Sequence, residues 1–196
     1  MRDNPEVKGD PGAARVPLPS WFAEAETLKA RVLERLEGMP AEERRLPPRP
    51  GAWSAAQVVA HLVLVEERLV EEWRVAAREA PAVRPSRWAG LSVGMANFAM
   101  SRAIRLPTIP ALDPNEREPG GGGEPGALSE RWGAVRGRLP GTFPADDSRP
   151  WIIHPIFGPL SCRQFGAFLV AHLRHHLKHW PGDPARARSG AGRSPA

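Results

Sequence analysis

The chain has 196 residues, a mass of 21.4 kDa and a formal net charge of +5, a length that fits one domain better than two. Hydrophobic residues make up 41%, which excludes a wholly disordered chain, and the absence of a G-x-y period excludes a collagen-like one. Cys162 is the only cysteine, so a disulfide-stapled scaffold is excluded.

Gly (19) and Pro (23) are abundant but clustered, so the chain divides into helix-competent blocks and breaker-rich connections. The basic residues are nearly all Arg, with Lys only at Lys8, Lys29 and Lys178. That mild excess lacks the dense basic face of a nucleic-acid binder, so nucleic acid is disfavoured as a partner. No signal-peptide core and no bilayer-spanning run is present. The expectation is a cytoplasmic protein with no membrane partner.

Residues 1–19 carry four prolines and no periodicity, and are expected to be a disordered arm. The first helix is expected over Ser20 to Gly38, capped by Ser20, with an apolar stripe of Phe22, Ala25, Leu28, Val32, Leu33 and Leu36 at spacings of three and four. Prolines 40, 47, 48 and 50 break it. The second helix opens at a capping box, Ser54 with Gln57 three residues on, and a staple pair, Trp53 with Val58. It is expected to run to about Ala80. Its stripe is Val58, His61, Leu62, Val65, Leu69 and Trp73, with Glu66, Glu67, Glu71 and Arg74 on a solvated face.

A short irregular helix through Val93, Ala96, Met100 and Ile104 is expected within Trp88 to Arg105. Residues 106–126, with five prolines and Gly120 to Gly123, read as a flexible linker. A third helix is expected from Ser129 to about Leu139, carrying Leu128, Trp132, Val135 and Leu139 on one face. Residues 140–160 read as loop, with Trp151-Ile152-Ile153 at most a short edge. The last helix opens with a second capping box, Ser161 with Gln164, and its stripe is Phe165, Phe168, Leu169, His172 and His176. Residues 182–196 are expected to be a disordered basic tail. Four amphipathic helices point to an all-α bundle, antiparallel by this reading alone.

Four of the six histidines fall in His172-Leu-Arg-His175-His176-Leu-Lys-His179. His172 and His176, at i and i+4, leave one helix face a turn apart, where the stripe predicts the core. His61 lies in the apolar stripe of the second helix and can face them if the two helices pack together. Three imidazoles with open positions form a catalytic rather than a structural metal arrangement. Zinc, nickel or another borderline divalent ion suits them. The competing reading keeps them as hydrogen-bonded core histidines. His175 and His179 point to the rim. No HExxH, no Glu-x-x-His and no CxxCH occurs, so a zinc protease, a di-iron bundle and covalent haem are disfavoured. Cys162, on the first turn of the last helix, reads as a buried filler, and His154 as a turn residue. Arg163 and Arg174 flank the histidines, as candidates for an anionic substrate group or as solvated residues.

The run WSAAQVVAHL over residues 53–62 resembles the WS-x-x-(E/Q)-x-x-x-HL signature of the DinB-like superfamily, which includes damage-inducible and thiol-transferase-related proteins. HPIFGPLS over 154–161, followed by Phe168 to His176, resembles its last-helix signature. The two motifs lie about 110 residues apart, each in register with its helix. The resemblance covers residues 20–181 and implies an all-α four-helix bundle with a crossover connection. It implies a divalent metal held by His61, His172 and His176, and a metal-dependent transferase using a low-molecular-weight thiol such as bacillithiol, mycothiol or glutathione on a small-molecule substrate. It implies a homodimer as well, and a role in bacterial stress or detoxification. A non-catalytic bundle binding a metal or small ligand is the alternative.

Overall fold

A computed structural model describes residues 15–16, 18–79, 91, 93–98, 110–117, 123–139, 143–144 and 150–181. In chain order these form β1 (Arg15–Val16), α1 (Ser20–Glu37), α2 (Ala41–Arg44), α3 (Ala55–Glu79), α4 (93–98), a 3-10 turn (Pro110–Leu112), α5 (Pro114–Arg117), α6 (Pro125–Arg136), β2 (Phe143–Pro144), β3 (Ile152–His154), β4 (Gly158–Leu160) and α7 (Cys162–Lys178). The fold is all-α, with two short antiparallel strand pairs, β1 with β2 and β3 with β4.

Helices α1, α3, α6 and α7 build the bundle, and their directions reveal the crossover. Trp21 at the start of α1 meets Phe165 at the start of α7, with ring centroids 5.5 Å apart. Near the far ends, Arg35 Nη1 donates to the Leu177 carbonyl at 3.1 Å. These two helices therefore run parallel. Helix α3 runs against them, because Trp73 near its end lies 6.0 Å from Trp151, which itself lies 6.4 Å from Trp21. Helix α6 is fixed by Arg45–Glu124 at one end and Arg136–Glu26 at the other, so it runs with α3. The simple antiparallel arrangement is thus corrected to two parallel pairs facing opposite ways.

Local chemistry explains most helix starts. Ser54 N donates to Gln57 Oε1 at 3.0 Å and Gln57 N to Ser54 Oγ at 3.2 Å. Ser161 and Gln164 repeat the reciprocal pair at 3.0 and 3.3 Å. Ser20 behaves otherwise: it is already helical, and Pro19 holds the cap position with no side-chain bond. Helix α6 begins at Pro125, four residues before the expected Ser129. Proline at a helix's first position loses nothing, since that N–H has no intrahelical partner.

The core gathers the expected stripes: Ala25, Leu28, Val32 and Leu36 from α1, Leu128, Trp132 and Val135 from α6, and Phe165, Phe168 and Leu169 from α7. The first three turns of α3 are buried on every side, which makes it the central helix. Glu66 is consequently not on a solvated face. It is 4% exposed and accepts two bonds from Arg136, at 2.5 and 2.7 Å. Arg136 also reaches Glu26 at 2.6 Å. A buried carboxylate is tolerated only when so paired.

The stretch read as loop between residues 140 and 160 contains the β3–β4 hairpin, in which Ile152 pairs with Leu160 and His154 with Gly158. Gly158 has a φ of +71°, a conformation that glycine adopts without the Cβ penalty. Of the expected helix within Trp88 to Arg105, residues 93–98 are helical with Val93 and Ala96 buried; Met100 and Ile104 lie outside the described residues. Residues 1–14 of the N-terminal arm and all of 182–196 also lie outside them. No described helix is long and apolar enough to cross a membrane.

Candidate metal centre

His61 sits on α3 one turn beyond the capping residue Gln57. His172 and His176 sit on adjacent turns of α7. Their facing nitrogens converge: His61 Nε2 lies 3.4 Å from His172 Nε2, and His176 Nε2 lies 3.1 Å from the same atom. One ligand atom from each residue lies within 4.8 Å of the others. A tetrahedral zinc ion with bonds of about 2.05 Å places its ligand nitrogens about 3.3 Å apart, and the two separations made by His172 Nε2 lie close to that value.

The protonation states agree. His61 Nδ1 is 2.9 Å from the Leu112 carbonyl. A carbonyl only accepts, so Nδ1 carries the proton and Nε2 offers a lone pair toward the other rings. Burial holds the His61 pKa below its ordinary value, partly offset by the Leu112 carbonyl and by the Asp113 carboxylate. His172 and His176 are held well below theirs, first by burial and then by the neighbouring imidazoles. All three are therefore neutral at pH 7, as metal ligands must be.

Without an ion, three neutral imidazole nitrogens crowd one point, where few protons are available to bond them together. A cation there would accept all three lone pairs, so the donor set fits a divalent metal. Packing orients the rings further. Trp53 lies 4.7 Å from the His61 ring, and Phe168 stacks on His172 at 5.5 Å and 11°. His172 Nδ1 is buried with no hydrogen-bond partner among the described residues, so this ring is held by stacking rather than by a second hydrogen bond.

The other candidate residues fall outside the triad. His154 is not a loop residue: it ends β3, is 5% exposed, and accepts at Nδ1 from the Ile156 and Phe157 amides at 3.1 and 3.3 Å. Cys162 is buried on the first turn of α7. Arg174 is exposed and pairs with Glu24 of α1, and Arg163 is exposed. His175 and His179 are half-buried, their rings 4.6 Å apart.

The residues that sequence reasoning missed come from the stretch read as linker. Residues 110–117 are ordered against α3, where the Leu112 carbonyl holds His61 and Asn115 Oδ1 accepts from Gln57 Nε2 at 2.7 Å. A main-chain carbonyl has no residue signature. The signal available was a few apolar residues amid the breakers, Leu106, Ile109 and Leu112.

A family model described as the DinB superfamily matches residues 24–179. The chain belongs to the DinB superfamily. No curated protein and no solved structure matches it. All three histidines of this DinB chain, and the segment that holds His61, lie inside the matched span.

Proposed function

We propose that this DinB-superfamily chain is a divalent-metal-dependent thiol S-transferase-type enzyme, with His61, His172 and His176 as the metal ligands. The single observation that carries the reading is the convergence of three neutral imidazole nitrogens, one from each ring, within 4.8 Å of one another. Zinc or nickel suits such a set.

When bound, the ion would supply a Lewis acid that keeps a low-molecular-weight thiol ionised at neutral pH. The chain's own residues do the rest. The Leu112 carbonyl keeps the proton of His61 on Nδ1. Trp53 and Phe168 pack against the rings of His61 and His172 and hold them in place. No separate strong base is needed, since the thiol proton leaves to solvent.

Elemental analysis of the purified, untagged protein beside His61→Ala tests the centre: about one divalent ion per chain, lost in the variant, is expected. Metal-loaded protein is then assayed with glutathione, bacillithiol and mycothiol against a generic electrophile such as a chlorodinitrobenzene. Absence of metal even after reconstitution would return the histidines to core packing.

A second reading, a non-catalytic metal-binding bundle, is favoured by burial, His61 and His172 being 6% and 8% exposed. It predicts a tightly held ion and no turnover with any thiol–electrophile pair.

A further inference from the structure

The segment 110–117 is too short to hold its own shape. It comprises one 3-10 turn and one four-residue helix, and isolated helices below about 12–15 residues are marginal in water. On the sequence it is bracketed by Pro107 and by Pro119 with Gly120 to Gly123, none of which propagates a helix. Its order therefore depends on what it touches. Leu112 packs against the core and Pro114 is buried. Two hydrogen bonds attach it to α3 one turn apart, His61 Nδ1 to the Leu112 carbonyl and Gln57 Nε2 to Asn115 Oδ1. Within it, the Asp113 amide donates to the Pro110 carbonyl at 3.0 Å, the Asn115 amide to Asp113 Oδ1 at 2.9 Å and the Glu116 amide to the Asp113 carbonyl at 3.2 Å.

Gln57 thus has two duties. Its Oε1 closes the capping box at Ser54, and its Nε2 ties down Asn115. The start of α3, the segment and the metal-facing ring are joined through that one side chain and the helical turn that follows it.

We propose that residues 110–117 form a strap whose docking on α3 is energetically coupled to metal binding at His61, with Gln57 and Asn115 as positioning residues that act through the Leu112 carbonyl. The coupling rests on the metal-centre reading above. Its physical basis is the tautomer. An ion at the centre needs the lone pair of His61 Nε2, which requires the proton on Nδ1. The docked carbonyl is the acceptor that makes this tautomer stable in a buried site. An undocked strap leaves Nδ1–H buried without its acceptor, or shifts the proton to Nε2 and blocks the ligand. Linkage is reciprocal, so an ion that favours the docked strap is in turn bound more tightly by it.

The test uses the full chain and zinc alone. Zinc affinity is measured by chelator competition for wild type and for Asn115→Ala, an exposed position whose change leaves the capping box intact. Amide hydrogen exchange over 110–117 is followed with and without zinc. We expect zinc to slow exchange of the Asp113, Asn115 and Glu116 amides in the wild type. We expect Asn115→Ala to raise the zinc Kd by about five- to tenfold, as loss of an outer hydrogen bond to a ligand system does, with the apo unfolding midpoint nearly unchanged. A wild-type chain that takes up no zinc overturns the metal-centre reading and the coupling with it. Wild-type binding with an Asn115→Ala Kd within twofold, or with strap exchange indifferent to zinc, overturns the coupling alone.

Discussion

His61 and His172 stand 111 residues apart in the chain and 3.4 Å apart at their Nε2 atoms. The bundle thus brings together two groups that repel when protonated and that, when neutral, share few protons to bond with. Such a pair is a cost to the metal-free fold. Replacing His172 by Phe keeps a flat ring against Phe168 and removes a buried nitrogen with no partner. The metal-free variant should melt a few degrees higher than wild type, on the order of 1 kcal/mol in a chain of this size, while binding no zinc. A variant that melts markedly lower would show that the histidines stabilise the core as they stand.

Acid should weaken the metal-free protein well before the carboxylates titrate. Burial pushes the His154 pKa from its ordinary 6.5 to about 4, and His61, His172 and His176 shift the same way. Between those values the unfolded chain binds the proton and the folded one does not. Stability is therefore complete above pH 6.5 and falls as the pH drops toward 4, by on the order of 3 kcal/mol from His154 alone. Urea midpoints of the apo protein across pH 4.5–7.5 would reveal this slope, and His154→Gln should flatten it.

The pair Arg136–Glu66 should be far more sensitive to losing one member than to losing both. Arg136→Ala strands the Glu66 carboxylate in the core and deprives Glu26 of a partner, a loss of about 3–5 kcal/mol. Arg136→Met combined with Glu66→Met, which leaves no orphaned charge there, should restore most of it. Chemical denaturation of the two variants side by side distinguishes them, and equal losses would contradict the pairing argument.

Gly166 lets α1 and α7 approach. A Cβ there would sit 2.3 Å from Trp21 Cγ, and the indole is itself wedged among Phe22, Trp151 and Phe165. Alanine is the better helix former by about 1 kcal/mol, yet overpacking of about 1–3 kcal/mol outweighs that gain. Gly166→Ala should lower the melting temperature. A rise would mean that Trp21 swings away at little cost.

What could be read in advance follows from what side chains announce. Reciprocal Ser–Gln spacing located the starts of α3 and α7, and i, i+4 histidines in an apolar stripe located two of the three converging nitrogens. His61 was legible because its polarity interrupts an otherwise apolar face. The strap was not legible, because its contribution is the carbonyl of Leu112, which every residue carries. Glu66 was misread because its partner lies 70 residues on, and helical periodicity describes only one helix at a time. The β3–β4 hairpin hid among prolines that read as breakers, although Pro159 occupies a strand position opposite Ile153.

Parallel α1 and α7 also dictate how the protein should be handled. The main chain enters α1 at one pole of the bundle and leaves α7 at the other, about 25 Å away for a helix of 17 residues. His176 lies two residues before the end of α7, so the exit pole is the one nearest the imidazoles. In the proposed metal centre the ion would therefore sit nearer the pole where α7 ends than the pole where α1 begins, and a purification tag of consecutive histidines, itself a set of metal ligands, has to be removed before the ion is counted.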